Sequence, residues 1–352
     1  MLNHQKVLET LKSAFPYDRG VSLVARYADS QLQLPGGRAH IFIGDCHMLN
    51  KQDAEAYPSY RFLQDRDLRT LLIGLTTLKK DSPGQLKIWH LGDLFDIWRA
   101  RGGLGPATEV GRITEAHSEI CDLLTYGAPN GVGAQILAGN HDYELYKLPE
   151  WQAARYRIIE NENPDGGDVL VLHGDIFEWI ERLPDKVQER AVQFATGHAA
   201  GKIDLFNEEA AVAEINRGLK TGDAPIGKFQ TNLSSEISNT TDFQSAAINV
   251  INAAAGEESA PNKLFFTAAF ELSKAMRERG HDIRLMVIGH THWARIVRGK
   301  TFEGKPFVLM DCGAWIGYCR FGQNEPWIHN GQIGVIADNE VRLYQIGWRP
   351  LS

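Results

Sequence analysis

Five short apolar runs, each followed by a polar cluster that contains glycine, constrain the fold of this chain more than any other feature. They are His40–Ile43, Leu86–Leu91, Ala134–Ala138, Val169–Leu172 and Leu285–Ile288. Nearly continuous apolar runs of this length are typical of strands that are covered on both faces of a sheet. Their recurrence predicts a core built from buried strands that end in polar loops.

Helical patterns lie between the first three runs. One apolar stripe has the i, i+3, i+4, i+7 spacing of a helix and consists of Leu68, Leu71, Leu72, Leu75 and Leu78. A second, less regular stripe, for which Gly127 is the predicted stop, consists of Val110, Ile113, Ile120, Leu123 and Leu124. Strands that alternate with helices predict an α/β protein, in which ligands bind at the carboxyl ends of the strands.

Three further strands are predicted after the last polar cluster. They are Pro306–Met310, Gly334–Ala337 and Val341–Ile346. The turn residues Asp338–Glu340 lie between the last two of these segments, so the pattern predicts a hairpin at this point.

Two segments depart from the pattern of short strands and helices. Residues 1–37 are predicted to form an N-terminal extension, with a helix from Gln5 to Ala14, and residues 38–352 the main domain. Within this domain, a helical cap insertion is predicted at about 178–282. Its last part has an apolar stripe that is expected to stop at Gly280 and consists of Phe265, Ala268, Ala269, Leu272 and Met276. The cap lies near the site in one interpretation and faces solvent in the other.

Each polar cluster offers carboxylate, imidazole or amide donors at the end of a predicted strand. The clusters are Asp45-x-His47, Gly92-Asp93, Gly139-Asn140-His141-Asp142, His173-Gly174-Asp175 and Gly289-His290-x-His292. Residues i and i+2 of an extended segment point the same way, so Asp45 and His47 can face one ion, and His290 and His292 can share a site. Oxygen and imidazole donors without thiolate suit Mn²⁺, Fe, Zn²⁺ or Co²⁺ better than Ca²⁺. One such cluster alone is typical of a turn, but five in order predict a metal site.

This ordered set resembles the calcineurin-like metallophosphoesterase family from Phe42 to about Trp315. The resemblance implies a four-layer α/β/β/α sandwich with two divalent transition-metal ions, for which Mn²⁺ is favoured and Fe, Zn²⁺ or Co²⁺ are alternatives. It implies that the first ion is held by Asp45, His47, Asp93 and His292. It implies that the second ion is held by Asp93, Asn140, His173 and His290, so that Asp93 bridges the two.

The same resemblance gives roles to residues beside the predicted ligands. It implies that His141 is the general acid that protonates the leaving oxygen, and that Asp96 orients it. The alternative for His141 is a purely structural hydrogen bond to phosphate. Asp142 and Asp175 are expected to support the ligands from behind, or only to stabilise the turns in which they lie.

Within the family, the motifs are most similar to the UDP-2,3-diacylglucosamine hydrolase branch, which cleaves a pyrophosphate bond. Gly92–Trp98 resembles the second motif of that branch, and Asp311–Trp315 resembles the strand end after its last motif. The chain departs from the branch at His141, where many bacterial members have arginine. Its insertion also lacks a long apolar face for acyl chains.

The predicted function is hydrolysis of a phosphodiester, pyrophosphate or phosphomonoester bond by metal-activated hydroxide, with a small-molecule or nucleotide-like substrate. A metal-dependent nuclease and a catalytically silent scaffold of the same fold stay open as alternatives. The net charge of −7 weighs against a nuclease and against stable binding of nucleic acid. The complete set of predicted ligands weighs against the scaffold.

Cysteine content and the absence of targeting patterns predict a cytoplasmic protein. The four cysteines match neither a zinc ribbon nor a disulfide scaffold. The first residues lack the basic and apolar regions of a secretion signal. No segment approaches the roughly 18 consecutive apolar residues of a membrane span.

Overall fold

The computed structural model describes residues 2–17, 20–56, 60–62, 65–97, 105–125, 131–177, 260–301, 303–318, 328–329 and 331–347. The chain divides into two compact units. The first consists of Met1–Glu178 and Ile283–Ser352, and the second of Trp179–Asp282. The domain boundaries predicted at residue 37 and at about 178 and 282 stay predictions.

Strands and helices alternate through the first part of the chain, as the sequence predicts. The strands are β1 (Val21–Ala28), β2 (Ala39–Ile43), β3 (Tyr60–Arg61), β4 (Leu86–His90), β5 (Gln135–Ile136), β6 (Tyr156–Ile159), β7 (Asp168–Leu172), β8 (Ile283–Ile288), β9 (Arg295–Lys300), β10 (Pro306–Asp311), β11 (Gly317–Tyr318), β12 (Ile328–His329), β13 (Gln332–Ala337) and β14 (Glu340–Ile346). The helices are α1 (His4–Ala14), α2 (Lys51–Ala56), α3 (Asp65–Asp81), α4 (Pro106–Ala116), α5 (Ser118–Leu124) and α6 (Ala260–Arg277). Short 3-10 helices span Tyr143–Lys147 and Pro149–Trp151.

The larger sheet places the first three apolar runs side by side. Among the described strands its order is β1-β14-β13-β2-β4-β5. The strands β2, β4 and β5 are parallel, whereas β13 pairs antiparallel with β2. Every residue of β2 and of β13 is buried, so both faces of the sheet are covered at its centre. The third run is a strand only over Gln135–Ile136.

The second sheet contains the other two runs. Its order over the described residues is β6-β7-β8-β10-β9, with β7, β8 and β10 parallel. The two sheets pack closely at Gly334 of β13, where a Cβ atom would lie 2.6 Å from Cys312 Sγ and 2.8 Å from Met310 Cε. Glycine is required there because no side chain fits between the sheets. The predicted α/β class, with two stacked sheets and flanking helices, is confirmed.

Helix α3 buries the predicted leucine stripe against the larger sheet. All five leucines of the stripe are 1% exposed or less, and they share one apolar cluster with Ile41 and Ile43 of β2. Each buried leucine contributes roughly 1.5–3 kcal/mol before the cost of ordering the chain is subtracted. Helix α1 packs beside α3 and begins at His4, because the Asn3 side chain accepts the N–H of Lys6 at 2.9 Å.

The second helical stripe forms two helices instead of one. Helix α4 ends at Ala116 and α5 begins at Ser118, and the residue between them, His117, has a φ of −122°. His117 Nδ1 lies 2.7 Å from Asp65 Oδ1, and its Nε2 lies 2.9 Å from the carbonyl oxygen of Leu49. These contacts hold the break and account for the irregular spacing. The predicted stop, Gly127, lies outside the described residues.

Strands β13 and β14 form the predicted hairpin. Ala337 pairs with Glu340, and the two turn residues, Asp338 and Asn339, have positive φ values of 49° and 59°. A two-residue turn of type I′ needs positive φ at both positions, and Asp and Asn tolerate this conformation better than most side chains. The turn is therefore one residue shorter than predicted, since Glu340 already belongs to β14.

Residues 1–37 contribute a strand that the sequence pattern does not reveal. Strand β1 pairs antiparallel with β14 and forms an edge of the six-stranded sheet in the described structure. Only Ala25 of this strand is buried, and Leu23 is 52% exposed. An edge strand with so few buried positions has little apolar periodicity, which explains why the pattern misses it. The predicted helix from Gln5 to Ala14 is present as α1.

The second unit is described from residue 260 to residue 282. Helix α6 buries Ala269, Leu272 and Met276 of the predicted stripe. Gly280, the predicted stop, has a φ of 94° and lies after the end of the helix. The remainder of the predicted cap insertion, residues 178–259, lies outside the described residues. Among the helices that the structure describes, none has the length and apolar character needed to cross a membrane.

His40 in β2 makes stability depend on pH away from the polar clusters. Its ring stacks on those of Phe42 and Trp89, and the indole N–H of Trp89 donates to His40 Nδ1 at 3.2 Å. Burial lowers the pKa of His40 from 6.5 to about 4. Between these two values the unfolded chain binds a proton that the folded protein does not bind. Stability therefore falls as the pH falls through this window.

Between pH 7 and pH 5, we expect the free energy of unfolding to fall by about 2 kcal/mol less in His40→Asn than in the wild type. Asparagine does not titrate in this range, and its side-chain oxygen can still accept the indole N–H of Trp89. Urea unfolding of both proteins at the two pH values measures the difference. The same pH dependence in both proteins would contradict a buried, neutral His40.

Candidate metal centre

The five polar clusters meet at one edge of the two stacked sheets. Strands β2, β4 and β5 are parallel neighbours in one sheet, and β7 and β8 are parallel neighbours in the other. Parallel neighbours end on the same side, so the residues that follow them come together. The predicted ligands after the first three strands are Asp45, His47, Asp93 and Asn140, and those after β7 and β8 are His173, His290 and His292.

Asp93 lies at the centre of this arrangement. Its Oδ2 atom is 3.4 Å from His47 Nε2 and 3.3 Å from His173 Nε2. Its Oδ1 atom accepts the backbone N–H of His141 at 2.8 Å, which holds the carboxylate in place. One oxygen of Asp93 therefore lies within 3.4 Å of imidazole nitrogens from two different polar clusters.

One group of donors contains Asp45, His47 and His292. Asp45 Oδ2 is 3.1 Å from His292 Nε2 and 4.0 Å from His47 Nε2. The two ring nitrogens are 3.1 Å apart. All three donor atoms lie close enough together to hold one metal ion.

A second group contains Asp93, His173 and His290, with Asn140 beside them. His173 Nε2 lies 2.9 Å from Asn140 Oδ1 and 3.2 Å from His290 Nδ1. The other ring nitrogen of His173 donates to the carbonyl oxygen of Leu91 at 2.9 Å. This bond orients the ring and directs its Nε2 atom toward the other donors.

The electrostatics around Asp45, Asp93 and His173 favour positive charge, whereas burial lowers the pKa of His292 to about 4. Burial raises the pKa of Asp45 and of Asp93, but His173 and other nearby histidines outweigh it and hold both pKa values below the ordinary value. Burial lowers the pKa of His173, but Asp93 and Asp45 outweigh it and raise this pKa to about 10. A proton or a metal ion is therefore stabilised between these residues. Oxygen and imidazole donors around such a point fit divalent transition metals.

Four of the predicted ligands have a left-handed backbone conformation. The φ values are 50° at His47, 51° at Asp93, 67° at His290 and 60° at His292. This conformation costs roughly 1–2 kcal/mol per residue and persists where the surroundings determine it, often at functional sites. The extended geometry expected for Asp45-x-His47 and for His290-x-His292 is therefore wrong. Asp45 and His47 still converge, whereas His290 and His292 belong to different donor groups.

Two glycines allow the turns to approach each other. Gly92 has a φ of 103°, and a Cβ atom there would lie 2.7 Å from His173 Nδ1. A Cβ atom at Gly139 would overlap the carboxylate of Asp93. Any side chain at either position would displace a predicted ligand, so the glycines in these clusters are required by space.

His141 and Asp96 form a buried pair beside the donors. His141 Nδ1 is 2.8 Å from Asp96 Oδ1, and the two residues are 5% and 0% exposed. The other carboxylate oxygen of Asp96 lies 3.5 Å from His47 Nδ1. His141 also forms a group with His47 and Asp93 whose donor atoms are close enough to hold an ion. The geometry is thus compatible with proton transfer or with metal binding by His141.

Comparison with known protein families agrees with this geometry. The profile of the calcineurin-like phosphoesterase family matches residues 41–224, which is just over half of the 352-residue chain. This chain belongs to the calcineurin-like phosphoesterase family. The match begins within β2 and includes four of the five polar clusters, while His290 and His292 lie beyond it. A comparison with curated proteins found no match.

Membership of the calcineurin-like phosphoesterase family identifies the chain as a hydrolase of phosphoester bonds. The groups of His and Asp residues that could hold metal ions agree with a metal-dependent enzyme of this family. The match does not distinguish the branches of the family, so the resemblance to UDP-2,3-diacylglucosamine hydrolases stays a prediction.

Asp142 joins two of the clusters through backbone hydrogen bonds. Its Oδ1 atom accepts the N–H of Gly139 at 2.7 Å and that of Asp93 at 3.2 Å, and its Oδ2 atom accepts the N–H of Phe95 at 3.2 Å. Burial, followed by the charge of Asp93, raises the pKa of Asp142 to about 7. This carboxyl group holds the turn that contains Asp93 against the turn that contains Asn140.

Arg155 is a supporting residue that no sequence pattern predicts. Its guanidinium group donates to the carbonyl oxygens of Ala138 and Gly139 at 2.8 and 3.0 Å, and to Asp175 Oδ2 at 2.8 Å. It therefore connects the segment after β5 with the segment after β7, and it gives Asp175 a partner. No local pattern marks Arg155, because it belongs to none of the strand-end clusters.

Proposed function

We propose that this chain uses two divalent metal ions to hydrolyse a phosphodiester, pyrophosphate or phosphomonoester bond in a small, nucleotide-like substrate. The observation that supports two ions is the position of Asp93 Oδ2, 3.4 Å from His47 Nε2 and 3.3 Å from His173 Nε2. This oxygen belongs to donor groups on both sides of the centre. One shared carboxylate is the simplest way to hold two cations close together.

The proposal assigns each ion four donors. The first set is Asp45, His47, Asp93 and His292. The second set is Asp93, Asn140, His173 and His290. Bound divalent ions, with Mn²⁺ favoured, would generate a hydroxide nucleophile near neutral pH and neutralise charge on the phosphoryl oxygens. Asp45 also accepts the N–H of His290 at 2.9 Å, so the backbone links the two sets.

His141 supplies the proton in this proposal. Asp96 accepts a hydrogen bond from His141 Nδ1, fixes the ring orientation and balances the charge of the protonated ring. The Nε2 atom is then the one that can donate to the leaving oxygen. The His141 side chain is 6% exposed and that of His292 is 15% exposed, whereas those of Asp45 and His173 are fully buried. The proton donor therefore lies nearer to solvent than the deepest ligands.

The net charge of the chain supports a small substrate. At −7 the protein as a whole repels long polyanions such as nucleic acids. Two divalent ions and two aspartates would leave about +2 at the centre, which attracts a phosphate group locally. A cytoplasmic location stays a prediction beside this proposal.

The test is metal content together with turnover. We expect the purified protein to hold close to two transition-metal ions per chain, and to hydrolyse bis-p-nitrophenyl phosphate in the presence of Mn²⁺. Chelation should abolish this activity, and Mn²⁺ should restore it. Metal-bound protein without turnover of any phosphate ester would favour the silent scaffold. Rapid release of nucleotides from DNA would favour the nuclease.

A further inference from the structure

The loop that contains His290 and His292 is held from behind by a buried contact. Thr291 lies between the two histidines, and its hydroxyl group donates to Asp311 Oδ2. The same hydroxyl oxygen accepts the backbone N–H of Trp293 at 3.2 Å. Thr291 is 4% exposed and Asp311 is fully buried, so water does not compete for their bond.

Asp311 is itself fixed to the sheet. It is the last residue of β10, and it pairs with Ile288 in the parallel neighbour β8. Its Oδ1 atom accepts the N–H of Gly313 at 3.1 Å. Burial raises the pKa of Asp311 to about 7 and outweighs Arg295, whose Nε lies 3.7 Å from Asp311 Oδ2 and favours the charged carboxylate. The carboxyl group that holds the loop therefore lies at the end of a fully buried strand.

The loop needs an anchor because its conformation is strained. His290 and His292 have φ values of 67° and 60°, and each left-handed residue costs roughly 1–2 kcal/mol. A relaxed loop would turn both rings away from their partners. Those partners differ, since His290 Nδ1 lies 3.2 Å from His173 Nε2 and His292 Nε2 lies 3.1 Å from Asp45 Oδ2.

We propose that Thr291 and Asp311 form a positioning pair that sets the affinity of both metal ions at once. This inference rests on the proposed function, which assigns His292 to one ion and His290 to the other. The hydroxyl group holds the loop midway between the two histidines, so its loss frees both rings together. A contact that only stabilised the fold would leave the ion affinities of the folded protein unchanged.

Two substitutions at Thr291 separate these roles. Thr291→Val removes the hydroxyl group at almost constant volume, and Thr291→Ser retains it. Co²⁺ is a suitable probe, because calorimetry gives its affinity and its visible spectrum reports the coordination. We expect Thr291→Val to weaken the binding of both Co²⁺ ions by about 10- to 100-fold and to change the spectrum. Thr291→Ser should leave both Co²⁺ affinities and the spectrum close to those of the wild type.

Two further variants complete the test. Asp311→Asn weakens the same contact from the other side and should change Co²⁺ binding in the same direction, which covers the case that Thr291→Val does not fold. Thr76→Val is the matched control. Thr76 is a buried threonine of α3 whose hydroxyl group donates to the carbonyl oxygen of Leu72 at 2.9 Å. Its loss should leave Co²⁺ binding unchanged.

The outcomes are distinct. Wild-type Co²⁺ affinities in both Thr291→Val and Asp311→Asn would overturn the inference, and so would an effect on only one of the two ions. If the wild-type protein binds no Co²⁺, the proposed function fails instead. Amide hydrogen exchange of the metal-free protein then decides about the pair. In Thr291→Val, faster exchange of the His290 N–H, which donates to Asp45 Oδ2, would show that the pair positions the loop, and unchanged exchange would overturn this role as well.

Discussion

Replacing Asp93 by asparagine is expected to remove at least one metal ion and to lower the hydrolysis of bis-p-nitrophenyl phosphate by about 10³-fold. Asparagine has nearly the same volume and tolerates the φ of 51° at this position. Its side-chain oxygen can still accept the N–H of His141. The substitution therefore removes mainly the charge that two cations would share. The expected loss corresponds to several kcal/mol of charge stabilisation in the transition state.

Asp168→Asn is the matched control for this variant. Asp168 begins β7, at the opposite end of the strand from His173, and its Oδ1 atom accepts the N–H of Asn161 at 2.8 Å. This exchange should leave metal content and turnover close to those of the wild type. Elemental analysis of the purified proteins, together with kcat and KM, makes the comparison. An Asp93→Asn protein with two ions and full turnover would show that two ions do not depend on the Asp93 carboxylate.

Replacing His141 by alanine is also expected to have a large effect, and its size should depend on the leaving group. A diester with a poor, alkyl leaving group needs a proton on the departing oxygen, so its kcat/KM should fall by about 10²- to 10⁴-fold. A p-nitrophenolate leaving group is stable without a proton, so kcat/KM for nitrophenyl esters should fall much less. A series of phenyl esters with different leaving-group pKa values measures the change in slope.

Metal analysis of the His141→Ala protein separates the two roles that its position allows. A His141→Ala protein that retains two ions and shows a steeper dependence of kcat/KM on the leaving-group pKa would support His141 as the general acid. Loss of an ion, or equal losses for all esters, would remove His141 from the acid role. His117→Ala is the matched control, because His117 forms a similar pair with Asp65, at 2.7 Å, away from the strand ends. It should keep the wild-type leaving-group dependence.

Local patterns were sufficient to predict the main buried strands and helices of this protein, although not the edge strand β1. The leucine stripe of α3 and the apolar residues of β2 and β8 follow the periods of helix and buried strand, because burial acts on the nearest residues along the chain. The turn at Asp338 and Asn339 was predictable because these side chains tolerate positive φ. The positions of the polar clusters at strand ends also follow from local patterns, in which glycine and polar residues end an apolar run. The α/β class follows from the same patterns.

The tertiary structure alone decided how the clusters meet. The pairing of the strands depends on contacts between residues far apart in the sequence. The same is true of the ends of β4 and β7, which place Asp93 Oδ2 3.3 Å from His173 Nε2. The left-handed conformations of the ligands are imposed by their neighbours against local preference. Arg155 and Asp311 have no periodic signature, because each supports the site through partners on other segments. Sequence thus determined the donors, and long-range packing determined their geometry.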